Sequence, residues 1–93
     1  MRLSTEQAQA IVESVREIDP EAEIFLFGSR ADDQARGGDI DLLVMSEKID
    51  LDQKLQLKLR LVDRLGPQKI DLVVARDTDQ PFVRIARAEG IRL

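Results

Sequence analysis

The chain has 93 residues, 43% of them hydrophobic and 34% charged, with a net charge of −4; this is the size and balance of one ordinary globular domain built on a modest core. No apolar run approaches the ~20 residues of a membrane span, no charged-then-apolar leader opens the chain, and cysteine and histidine are both absent, which excludes disulfide frameworks, thiolate chemistry, Ser-His-Asp catalysis and histidine-based zinc sites. Any metal or acid–base chemistry must come from carboxylates, which favour hard ions such as Mg²⁺ or Mn²⁺.

The charge is uneven. Residues 1–48 hold 5 basic and 11 acidic groups, and residues 49–93 hold 9 and 7. Such a chain is a poor non-specific nucleic-acid binder, so direct nucleic-acid contact is not expected. The acidic front half reads either as solvated surface or as a cation-binding region. A cytoplasmic protein with no membrane association is the default expectation.

Ser4-Thr5-Glu6-Gln7 has the spacing of a capping box. Ala8, Ile11, Val12, Val15 and Ile18 then mark the stripe of an amphipathic helix near 4–18, ended by Asp19-Pro20. Glu23 to Phe27 is a short apolar run closed by Gly28, which predicts a buried strand. From Ser29 to Gly38 the chain turns polar; Ala31–Ala35 could form a short helical turn with Ser29 as its cap. Asp39 to Met45 reads as a strand with an acidic start and apolar residues on both faces, a central strand covered on both sides.

Leu55, Leu57, Leu59 and Leu61 alternate with polar residues as a strand would. Leu51, Leu55, Leu59, Val62 and Leu65 instead fit one face of a helix. Strong helix formers, a cap at Asp50 and a stop at Gly66-Pro67 favour helix over 51–65. Lys69 to Ala75 is a third strand carrying Asp71, and Pro81 opens a last short helix that Gly90 ends. Ile91-Arg92-Leu93 is a further extended piece. The expected fold is α/β: a small mixed sheet of three or four strands flanked by helices, in the order α-β-β-α-β-α, forming one domain over 1–93.

Asp39 and Asp41 stand two apart on a predicted strand, so they share a face. Adjacent carboxylates repel unless a cation lies between them, and Mg²⁺ binds one or two carboxylates together with substrate phosphates. Asp71, at the start of another strand, brings a third acid that would suffice for a two-metal site. Gly28-Ser29 offers backbone N–H groups and a hydroxyl to phosphate oxygens. Taken singly, Asp-x-Asp is a solvated strand end, Gly-Ser a turn, and Asp71 a local cap. Their conjunction points to a metal–phosphate site.

Gly28-Ser29-Arg30 followed by Asp39-Ile40-Asp41-Leu42 resembles the signature of the polymerase-β-type nucleotidyltransferase superfamily. The short chain is similar to its minimal nucleotidyltransferase (MNT) group, many of which are antitoxins paired with HEPN-domain toxins. Nine residues separate Ser29 from Asp39, where the family usually has ten, and Gly38 stands where a serine is frequent. The resemblance implies a nucleotidyltransferase fold and an NTP substrate, ATP foremost, held at its triphosphate by Gly28 and Ser29. It implies Mg²⁺ (or Mn²⁺) bound by Asp39, Asp41 and Asp71, with Asp71 also activating an acceptor hydroxyl. Arg30 would contact phosphate or pair with a nearby aspartate. The implied acceptor is a tyrosine on a partner HEPN toxin, inactivated by AMP addition, and assembly with that partner is compatible with it. Two rival readings keep the fold: a binding-only antitoxin that covers its partner's surface, and a small-molecule nucleotidyltransferase.

Overall fold

The computed structural model describes residues 3–28, 39–66 and 68–93. The capping box forms as its spacing predicts: the Gln7 N–H donates to Ser4 Oγ at 3.0 Å and the Ser4 N–H donates to Gln7 Oε1 at 3.1 Å. Helix α1 (Thr5–Ile18) follows, turning Ala10, Ile11, Ser14 and Val15 inward. Ser14 is a polar residue in that buried stripe, and its hydroxyl is satisfied by donating to the Ala10 carbonyl at 2.7 Å.

Strands β1 (Glu23–Phe27), β2 (Ile40–Met45), β3 (Ile70–Ala75) and β4 (Ile91–Arg92) form one sheet in the order β3-β2-β1-β4. β2 lies antiparallel to β1 and parallel to β3, with helix α2 (Leu51–Leu65) as the crossover. The extended piece after Gly90 pairs antiparallel with β1 as β4. The mixed sheet flanked by helices follows the expected order, with that last piece as its fourth strand.

Alternation along the strands divides the sheet into two unequal faces. Ile24, Leu26, Ile40, Leu42, Val44, Ile70 and Leu72 point to one side, where they meet Ile11 and Val15 of α1 and Leu57 and Leu61 of α2. Each of these large aliphatics contributes about 1.5–3 kcal/mol by its burial. On the other side Phe25 and Leu43 meet Val83 and Ala86 of helix α3 (Pro81–Glu89), with Phe27, Met45, Val73 and Ala75 half-buried around them. Two helices cover the first face. One short helix covers the second.

Helix α2 forms as expected. It spans 51–65 and carries a capping box at Asp50 and Gln53, but the apolar stripe that identified it is largely not the side that packs. Leu57 and Leu61 are buried, Leu65 is half-buried against them, and Leu51, Leu55, Leu59 and Val62 are exposed. The helix is apolar on two sides, so periodicity alone identifies a helix without saying which side faces the sheet.

α3 runs into β4 with only Gly90 between them. A Cβ at Gly90 would lie 2.6 Å from the Ala86 carbonyl oxygen and 3.0 Å from that of Leu26, so the turn closes only around a residue with no side chain.

Candidate active site

Two parallel strands that start in register carry the site. Ile40 pairs with Ile70 and Asp41 with Asp71, while Phe27 faces Asp41 from the antiparallel side. Sequence and pairing agree here. Asp39-Ile40-Asp41-Leu42 on one strand matches Lys69-Ile70-Asp71-Leu72 on the next, so the isoleucines and leucines go to the large core while Asp41 and Asp71 go together to the α3 face.

The two carboxyl groups stand side by side, close enough for Asp71 to disfavour the charged form of Asp41. Burial is the main cause that pushes the Asp41 carboxyl above the usual carboxylate range. The contact with Asp71 and the negative charges of Asp71 and Asp39 push the same way, against a smaller pull from Lys69. Asp39 stands at the head of β2, half-exposed, with a carboxylate oxygen 3.7 Å from Lys69 Nζ. Among the described residues no group of three or more acidic side chains is drawn together as a ready metal cage. Mutual repulsion is consistent with that arrangement: Asp39 lies beside the Lys69 ammonium, while Asp41 and Asp71 sit next to each other in register.

Gly28 follows β1 directly against Asp41. Its φ is 75°, in the left-handed region, and a Cβ placed there would collide with Asp41 Oδ2. Glycine is required twice, once by backbone conformation and once by the carboxylate packed against it. The turn predicted to meet phosphate thus touches an aspartate predicted to serve the metal. Ser29 and Arg30, the other predicted phosphate contacts, lie outside the described residues, as do the short turn expected over 31–35 and Gly37-Gly38.

Two neighbours escaped the sequence reading. Lys69 is a cation beside the acids, ion-paired with Asp39 and acting on Asp41, and its signal was the parallel between Lys69-Ile70-Asp71 and Asp39-Ile40-Asp41. Phe82, at the start of α3, packs edge-to-face on Phe27 with ring centroids 5.5 Å apart and remains half-exposed. Phe27 itself is paired with Asp41 across the sheet, so this aromatic pair lies on the same face as the acids.

The donor set suits a divalent cation. It consists of hard carboxylate oxygens, and Asp41 and Asp71 stand side by side in register, where a cation would relieve the repulsion between their charges. No helix among the described residues is long and apolar enough to cross a membrane. No curated protein matches the chain significantly. The family model described as polymerase beta, nucleotidyltransferase matches residues 6–93, from the first turn of α1 through β4, and with paired aspartates beside a glycine turn on a four-stranded mixed sheet, the chain belongs to that nucleotidyltransferase family.

Proposed function

We propose that the protein transfers a nucleoside monophosphate, AMP from ATP foremost, to a hydroxyl group on a partner protein, and that it does so as the cytoplasmic antitoxin of a HEPN-domain toxin, with residues 1–93 acting as one domain. The observation that carries the reaction class is the register of Asp41 and Asp71 beside the Gly28 turn. Three acids at one end of the sheet would hold Mg²⁺ or Mn²⁺: Asp41, Asp71 and, on release from Lys69, Asp39. When bound, the cation neutralises phosphate charge and orients the triphosphate.

The chain's own groups do the rest. The Gly28 turn, continuing into Ser29 and Arg30, receives the triphosphate through backbone N–H groups, the Ser29 hydroxyl and the Arg30 guanidinium. Asp71 accepts the proton of the acceptor hydroxyl. The acceptor oxygen bonds to the α-phosphorus as the bond from that phosphorus to the bridging oxygen breaks, and pyrophosphate leaves with that electron pair. The rate gain comes from positioning and from charge neutralisation. A protein acceptor is favoured over a polyanion because the net charge is −4 and the acidic excess lies in the half that carries Gly28, Asp39 and Asp41.

The test is transfer of label from ATP to a HEPN-domain partner in the presence of Mg²⁺, repeated with Asp39→Asn, Asp41→Asn and Asp71→Asn. Label on the partner with the wild type, falling at least a hundredfold in each variant, supports the reading. Neutralisation of the partner that persists in all three variants without label would replace it with binding alone.

A further inference from the structure

The largest exposed apolar feature among the described residues lies away from the carboxylates, on α2. Leu51, Leu55 and Leu59 follow one another four residues apart, and Val62 comes three later, so they form a single ridge. Their exposures are 82%, 59%, 62% and 39%. Leu57 and Leu61, on another side of the helix, are fully buried, so the ridge is not the face that packs on the sheet. A soluble domain rarely presents so many large aliphatics in one line unless something covers them.

The charges beside the ridge indicate what covers it. At 100° per residue, Lys58 flanks the ridge on one edge, and Asp52 and Asp63 on the other. The arginines of the same helix are already engaged elsewhere: Arg60 pairs with Glu17 and Arg64 with Glu13, both on α1. Lys58, Asp52 and Asp63 have no ion-pair partner among the described residues. The ridge therefore has one open basic border and one open acidic border.

We infer that this face of α2 pairs with the same face of a second copy of the chain, the two helices running in the same sense about a two-fold axis. That orientation places the basic border of each copy against the acidic border of the other, with Lys58 reaching Asp63 of the second copy. The opposite orientation would put lysines against lysines and aspartates against aspartates. Offset pairing of unlike charges across an apolar seam is how parallel helix pairs fix their direction. The ridge is small beside the ~1,200–2,000 Å² of standard specific interfaces, so the dimer is weak and dependent on concentration. α2 lies on the face opposite α3, so both copies keep Asp41 and Asp71 accessible.

This inference does not depend on the transfer reaction, and its measurements involve no nucleotide. Sedimentation velocity over a concentration series should show a monomer–dimer equilibrium. The double substitution Leu55→Glu/Leu59→Glu should abolish it while leaving the circular dichroism spectrum and Tm unchanged, since both side chains are solvent-facing. Lys58→Glu and Asp63→Lys should each raise the dissociation constant by about tenfold, and their combination should restore it. The chain has no cysteine, so Val62→Cys under mild oxidation reports direction: same-sense helices bring the two copies of this position together as a disulfide. A wild type that stays monomeric throughout, a dimer that survives Leu55→Glu/Leu59→Glu, a charge swap that fails to rescue, or a Val62→Cys dimer that does not cross-link would overturn the proposal.

Discussion

At the scale of single residues, Asp41 concentrates the conflict between function and stability. Its native carboxyl holds a proton more tightly than the unfolded chain does, mainly because it is half-buried and secondarily because Asp71 lies beside it. Ionising it in the native state is therefore a cost, present at neutral pH and relieved as pH falls through the raised native value. Asp41→Asn should raise Tm by a few degrees at pH 7, with the gain shrinking towards zero below about pH 4, where the carboxyl is protonated in both states. Thermal melts of the two proteins across pH would check this. A variant that loses stability at neutral pH would show that the carboxylate is favourably held instead. The pairing of Asp41 with Asp71 was legible in the sequence, because Ile-Asp-Leu recurs on both strands and alternation assigns faces. The contact with Gly28 was not, since it depends on the β1–β2 register, a long-range fact that no local pattern carries.

Among the elements, the junction of α1 with the sheet is held by a buried carboxylate of the opposite kind. Asp19 ends α1 and is almost fully buried, accepting from the Ser46 hydroxyl at 2.5 Å and from the Glu21 N–H at 3.0 Å, with Lys48 Nζ 3.9 Å away. The Ser46 Oγ in turn accepts from the N–H groups of Lys48 and Ile49. One carboxylate and one hydroxyl thus tie the end of α1 to the loop between β2 and α2. The Ser46 hydrogen bond is the main cause that holds the Asp19 carboxyl below its ordinary value, despite burial. A depressed native value means stability present above the unfolded pKa and lost as pH falls through the native one. Asp19→Ala should cost about 2–3 kcal/mol at pH 7, the penalty for leaving a buried hydrogen-bonded charge unmade, and denaturant melts should show that the deficit narrows below pH 4. The sequence marked Asp19-Pro20 as a helix end but had no means of joining it to Ser46, 27 residues on. Helix α2 shows the same limit in another form. Its caps and composition reveal the element, whereas its buried side follows from where the crossover lands on the sheet.

For the molecule as a whole, function is organised by the inequality of the two sheet faces. The α1–α2 side carries most of the fully buried aliphatics and is the stability reserve, and the thinner α3 side carries the acids, the half-exposed Phe82 and the site's openness. This division was largely predictable, since along a strand Asp41 and Asp71 and their immediate neighbours Ile40, Leu42, Ile70 and Leu72 must take opposite sides. The aromatic pair was not, because the meeting of Phe27 with Phe82 joins residues from opposite sides of the chain's longest crossover.

The in-register start of β2 and β3 also governs which changes in length the gene can tolerate. Because consecutive strand residues alternate faces, one residue added between Ile70 and Asp71 would turn Asp71 into the apolar core, opposite Leu42, and Leu72 out of it, leaving the added residue beside Asp41. One residue added beside Gly66, ahead of the pairing, would be absorbed by the connection. The two insertions lie a few codons apart, yet the first should abolish transfer and lower Tm by ten degrees or more, and the second should leave both nearly unchanged. Melting curves and transfer assays of the two variants would measure that contrast. Across descendants of this chain, length variation should therefore gather in the connections and stay out of the six-residue ladder shared by Ile40–Met45 and Ile70–Ala75.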